Sequence, residues 1–220
     1  MLRLGCRLLR WAGLAVSIAA IPLTVHADSV DLFNTFGPGH TYNCCEAYSE
    51  IGATRGIDIV AMAFTPTTTS PLFAIDLAIG SNGVNDQFTL DLMSSTGGLP
   101  GSILESWSLT TTFVLCDHCF ETALSTLHPV LQMGTQYWLV VLPSSDMNGG
   151  WFLSNSALGT TASSTDLGNT WTLQGNGQMG AFDVRSAATV PEPSTLVMLG
   201  SGLLGITAAA RRKLLKIAHL

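Results

Sequence analysis

Phe73-Ala74-Ile75-Asp76-Leu77-Ala78-Ile79 places large apolar side chains at every second position, with small or polar residues between them. Phe88-Thr89-Leu90-Asp91-Leu92 repeats the pattern. A period of two sends successive side chains to opposite faces of a strand, whereas a helix would need apolar spacings of three and four. Each stretch therefore reads as a strand with one buried face. Asp76 and Asp91 fall on the opposite face, where contact with water is expected.

Working outward, further strands are expected at 57–64, 102–109, 120–126, 136–142, 151–154, 170–174 and 181–185. Turn-forming clusters at 80–83, 94–101, 143–150 and 175–177 separate them. The run Gly134-Thr135-Gln136-Tyr137-Trp138-Leu139-Val140-Val141 has large apolar side chains on both faces, as a central strand covered on two sides requires. Trp138 then belongs to a core, the alternative being an aromatic platform for a ligand. About nine short strands at this spacing predict an all-β, two-sheet β-sandwich of jelly-roll type over residues 28–188.

Hydrophobic residues make up 47% of the 220 and charged ones only 11%, which excludes a largely disordered chain. The cations sit at the ends. Residues 1–27 hold Arg3, Arg7 and Arg10 without an acid, and residues 191–220 hold Arg211, Arg212, Lys213 and Lys216 against Glu192. Between them, Arg55 and Arg185 face 14 acids. Phosphate neutralisation needs clustered cations, so nucleic acid is not an expected partner.

The basic start is followed by an apolar stretch from Trp11 to Leu23, broken by Pro22, and then by Val25-His26-Ala27. Compact residues three places and one place before the cut suit signal peptidase, so cleavage is expected between Ala27 and Asp28. Residues 1–27 read as a signal peptide, with a retained anchor as the alternative. Cys6 leaves with this segment, and no Leu-x-x-Cys lipobox stands at the end of its apolar region.

Residues 189–220 have three parts: Val190-Pro191-Glu192-Pro193-Ser194, an apolar segment at 195–210, and a basic tail at 211–216 containing Arg211, Arg212 and Lys213. The prolines favour an extended, accessible backbone. As a helix the apolar segment would span roughly 25 Å, slightly less than a bilayer core. The basic cluster would hold its end on the cytoplasmic side. This combination resembles the PEP-CTERM sorting signal of Gram-negative bacteria, with Pro191, Glu192 and Pro193 as the motif. The resemblance implies an exosortase partner that cuts at or near the motif. It also implies transient anchoring in the inner membrane, then delivery to the cell surface or extracellular matrix. A plain membrane anchor is the alternative.

The middle also resembles the choice-of-anchor R type domain. The likeness rests on Phe64-Thr65-Pro66, Ile75-Asp76-Leu77-Ala78-Ile79-Gly80, Gly97-Gly98-Leu99-Pro100-Gly101 with Leu104-Glu105-Ser106-Trp107, Gly134-Thr135-Gln136-Tyr137-Trp138-Leu139-Val140, and Gly180-Ala181-Phe182-Asp183-Val184. It implies surface display and no particular reaction.

Cys44, Cys45, Cys116 and Cys119 remain in the mature chain, and an exported protein makes disulfides the default. Three connectivities fit. Two bridges from Cys44 and Cys45 to Cys116 and Cys119 would close a circuit of roughly 70 residues and contribute roughly 4 kcal/mol. Local bridges within each pair are the alternative. A zinc site of the same thiols, with His118 or His40 nearby, is weakened by the adjacency of Cys44 and Cys45. A redox Cys116-x-x-Cys119 lacks its usual strand-to-helix setting.

Catalytic motifs are missing: no G-x-S-x-G, H-E-x-x-H, P-loop or EF-hand series occurs, so no enzyme and no cofactor are expected. His40, His118 and His128 have no spacing that demands a metal, and His128, before Pro129, is expected in extended geometry. Calcium is the one ligand the loops suggest, through Asn82, Asn85 and Asp86 or through Asp146 and Asn148. The expectation is an exported surface or matrix protein with a binding or structural role. Next comes a carbohydrate-binding module, with Trp107, Trp151 or Trp171 stacking on an extracellular polysaccharide. Third is an extracellular hydrolase, which needs a carboxylate pair that spacing does not reveal.

Overall fold

The computed structural model describes residues 29–51, 57, 59–82, 85–112 and 120–187. Outside them lie the expected signal peptide with its Ala27/Asp28 junction, and the sorting segment with Pro191, Glu192, Pro193, the 195–210 stretch, Arg211, Arg212 and Lys213. Cys116 and Cys119 also lie outside, as do the side chains of Cys45, Ser49, Glu50 and Ile51.

Among the described residues every regular element is a strand. In chain order these are β1 (Val30–Asn34), β2 (Asn43–Ile51), β3 (Ile59–Phe64), β4 (Ser70–Leu77), β5 (Ile79–Ser81), β6 (Gln87–Thr96) and β7 (Leu99–Thr110). Then follow β8 (Glu121–Leu124), β9 (Val130–Leu131), β10 (Tyr137–Pro143), β11 (Asn148–Ser164), β12 (Thr172–Gly180) and β13 (Phe182–Ser186). They form two antiparallel sheets. The smaller has the order β1-β13-β4-β8, with β9 also on β4; the larger has the order β12-β11-β3-β10-β6-β7, with β2 and β5 on β11. Without β2, β5, β9 and the β11-β12 hairpin, the orders are β1-β13-β4-β8 and β3-β10-β6-β7, the arrangement of a jelly roll.

The main core lies between the sheets. Val60, Met62 and Phe64 of β3, Leu90 and Leu92 of β6, and Leu139 and Val141 of β10 meet Leu32, Ile75, Leu77, Phe182 and Val184 of the smaller sheet. The alternation in β4 and β6 thus selects the buried face, as the sequence predicts. Strand β10 is buried on both sides. Trp138 and Val140 point the other way, into a second cluster with Ile59, Ala61, Ala63 and Ala162, covered by Met93, Leu99, Leu142 and Trp171. Trp138 is core, and its indole N–H donates to Ser95 Oγ at 3.3 Å.

Two turn signals resolve differently from expectation. The cluster at 94–101 contracts to Gly97-Gly98, whose φ values of 61° and 80° are those a two-residue type I′ hairpin requires. The cluster at 175–177 is no turn: it lies within β12, and Gly175 at φ 85° accompanies a register shift against Thr161 and Ala162 of β11. Strand β11 extends well beyond 151–154, because it pairs with β2 and β5 near its start and with β3 and β12 near its end.

Glu105 ties the open edges of the two sheets together. Its carboxylate on β7 accepts the Ser125 hydroxyl at 2.6 Å, the Thr126 and Leu127 amides at 2.6 and 3.0 Å, and the Thr126 hydroxyl at 3.2 Å, all just after β8. Trp107 adds an N–H donation to the Leu124 carbonyl at 2.8 Å. Burial alone would raise the pKa of Glu105, but these donors outweigh it and hold the carboxyl below its ordinary value. A lowered folded-state value adds stability that is present above the unfolded-state range and disappears as pH falls through the folded value. Urea unfolding should therefore show wild type ahead of Glu105→Gln at pH 7, with the gap narrowing toward about pH 3.

Close packing sets a second test. A Cβ on Gly180 would stand 2.7 Å from Nε1 of the fully buried Trp151, whose N–H donates to the Ala181 carbonyl at 3.1 Å. Gly180→Ala is expected to lower stability by about 1–3 kcal/mol, read as a lower denaturant midpoint with unchanged slope.

Candidate functional site

The outer face of the smaller sheet carries a charged cluster that strand pairing assembles. Asp76 on β4 and Asp183 on β13 are directly opposed in register, and Thr122 on β8 stands opposite Asp76 on its other side. Arg185, two residues beyond Asp183, shares its face. The Arg185 guanidinium lies 2.7 Å from Asp76 Oδ2 through Nη2 and 3.4 Å from Asp183 Oδ1 through Nε. The Thr122 hydroxyl donates to Asp76 Oδ1 at 2.6 Å, and Arg185 Nη1 donates to Ser29 Oγ at 3.3 Å.

His40 closes the cluster from above. A bridge between Gly37 and Thr41 folds residues 37–41 into a tight turn, and His40 sits there at φ 60°. Its ring stacks on Phe36, with centroids 5.1 Å apart, and leans on Phe120 at 5.3 Å. That packing aims Nε2 at Asp183 Oδ2, 3.7 Å away. The His40 side chain is 40% exposed, whereas Asp76 and Asp183 are 2% and 0% exposed. Asp76 was expected to face water; the correction follows from the cover that Arg185, Thr122 and His40 provide.

Asp183 is the anomalous member. Neither of its carboxylate oxygens makes a well-formed hydrogen bond among the described residues, the Arg185 Nε contact being a long 3.4 Å. Burial, followed by repulsion from Asp76, pushes its pKa up to about 7 against the attraction of Arg185, with Asp31 adding further repulsion. One donor atom from each of His40, Asp76 and Asp183 lies within 4.8 Å of the others, the spacing of groups that can share a metal ion. These three donors come from residues far apart in sequence, so no spacing along the chain brings them out.

The other expected residues fall elsewhere. Cys44 is half-buried beside Phe36, Tyr42, Ala78, Phe152 and Ala181, and the thiols of Cys45, Cys116 and Cys119 lie outside the described residues, so the connectivities stay open. The two calcium sets meet at one end of the sandwich: the Asn82 amide donates to the Asn148 carbonyl at 2.9 Å and the Ser144 amide to the Gln87 carbonyl at 3.0 Å. Asp146 there accepts the Ser144 hydroxyl at 3.2 Å. His128 is left-handed at φ 48° rather than extended, held by Ser125 Oγ on its amide and the Leu72 carbonyl at its Nδ1, each 2.9 Å away.

The described tryptophans are spent on packing. Trp151, one of the three that the carbohydrate-binding alternative would stack on sugar, is fully buried against Phe182; Trp107 is half-buried in the edge clamp, and Trp171 covers the second cluster. Asp91, also expected in water, is 3% exposed between Val140 and Ser106, since the outer face of the larger sheet is itself covered. Burial raises its pKa against a hydrogen bond with Ser106.

Residues 189–213 match the family model of the PEP-CTERM protein-sorting motif. No curated protein matches the chain. That motif implies an exported protein, processed by an exosortase and held by a C-terminal membrane anchor beforehand.

Removing one member of a buried charge cluster leaves its partners uncompensated. Arg185→Ala is expected to lose about 3–5 kcal/mol at neutral pH. Asp183→Asn, which keeps the side chain's shape and removes a carboxylate only weakly paired with Arg185, should lose clearly less. Denaturant midpoints of the two variants check the order.

Proposed function

We propose that the chain is surface cargo: signal peptidase removes residues 1–27, the 195–210 helix holds the protein in the inner membrane, and an exosortase processes it near Pro191, Glu192 and Pro193. The β-sandwich then resides at the cell surface or in the extracellular matrix of a Gram-negative bacterium, with a binding or structural role and no catalysis. The match of residues 189–213 to the sorting motif carries this reading. The resemblance of the sandwich to the choice-of-anchor R type domain agrees with it.

Two observations favour a non-catalytic body. Asp76 and Asp183, side by side as a hydrolase would need, are buried beside Arg185 rather than open to a polymer. The tryptophans that a sugar-stacking module would display are packed inward or committed to the edge clamp. A polysaccharide contact is better served by the open groove of about 230 Å³ lined by Gln87, Thr89, Ser108, Leu142, Pro143 and Ser144, which offers hydroxyls and an amide. Neither role needs a cofactor, and calcium at the Asn82 to Asp86 and Asp146 to Asn148 end would be accessory.

Intact-mass measurement on the native host's fractions tests the route. The surface form is expected to begin at Asp28, to end near Pro191 to Pro193, and to gain about 4 Da on reduction if two disulfides form, two hydrogens for each. A variant with Pro191, Glu192 and Pro193 all changed to Ala should accumulate uncut in the inner membrane. An uncut tail in the wild type would defeat the sorting route.

A further inference from the structure

We infer that His40, Asp76 and Asp183 bind one divalent transition-metal ion of the zinc class, which pins the 37–41 turn to the outer face of the smaller sheet. Three observations converge on it. First, His40 Nε2 and Asp183 Oδ2 are 3.7 Å apart, too long for a hydrogen bond. Two ligands of a tetrahedral ion with bonds of about 2.1 Å stand about 3.4 Å apart, so a small closure of the turn seats the ion. Second, Asp183 is fully buried and its Oδ2, on the side of His40, makes no well-formed hydrogen bond among the described residues, its one ion pair being the 3.4 Å contact of Oδ1 with Arg185. Third, Asp76 and Asp183 stand directly opposed on neighbouring strands, and the single guanidinium of Arg185 serves both, at 2.7 Å from Asp76 and 3.4 Å from Asp183.

The surroundings hold the ligands in place. Thr122 and Arg185 fix the two oxygens of Asp76, and each of those oxygens keeps a further lone pair for the ion. Arg185 approaches Asp183 on its Oδ1 side, leaving Oδ2 toward His40. Imidazole with carboxylates suits zinc and its first-row neighbours better than calcium, which prefers six to eight oxygens.

The test uses the full-length protein, solubilised with its cysteines oxidised, and Zn²⁺ and Co²⁺ as probes. Zn²⁺ titration should show one ion per chain and a raised thermal midpoint that EDTA reverses. Co²⁺ should give tetrahedral visible absorption without a thiolate charge-transfer band. His40→Ala, a change at a half-exposed side chain, should weaken Zn²⁺ binding at least tenfold while circular dichroism stays native. Asp183→Asn should do the same where it folds. Absence of binding, binding unchanged in His40→Ala, or a thiolate band in the Co²⁺ spectrum would each overturn the assignment.

Discussion

The side chains of β10 from Tyr137 to Val141 are at most 6% exposed, so this strand needs apolar cover above and below. The smaller sheet supplies it on one side through Ile75, Leu77, Phe182 and Val184. On the other side, Met93 and Leu99 from the β6-β7 hairpin and Trp171 just before β12 close over Trp138 and Val140. A sandwich with only one apolar interface would leave Trp138 in water. The extra cover makes the larger sheet a middle layer, and it also buries Asp91.

The opposite arrangement holds on the smaller sheet. Its outer face gathers Asp76, Asp183 and Arg185 under His40. Adjacent antiparallel strands bring opposed residues within reach of one another, so two aspartates in register repel unless a cation intervenes. Arg185 satisfies Asp76 and only partly satisfies Asp183. The sandwich is thus asymmetric: one outer face is locked by packing, the other by charge.

That asymmetry fits an exported protein. A body with Arg55 and Arg185 against 14 acids has few internal counter-ions, so each cation position matters. The sorting motif at 189–213 sets where the chain is sent, whereas the charged face and the edge clamp at Glu105 concern how the body keeps its shape there. The Glu105 clamp uses only local donors after β8, whereas the His40 cluster draws on segments more than 100 residues apart.

Periodicity in the sequence was enough to identify the strands around Phe73, Phe88 and Tyr137, because burial on one face or two is written directly into alternation. It was enough to mark the sorting segment, whose motif, apolar stretch and basic tail are contiguous. It misread Gly175-Asn176-Gly177, since glycine serves a bulge as readily as a turn, and it passed over β1 and β2, whose alternation is weak. Local alternation by itself determined the strand-rich class, and the contiguous motif at 189–213, by its resemblance to a sorting signal, marked the address. Only the tertiary structure decided that Asp76 and Asp183 are buried neighbours, that Trp151 is core, and that His40 caps the pair. Strand register and sheet order bring together residues of unrelated sequence position, and no local spacing encodes which strand lies beside which.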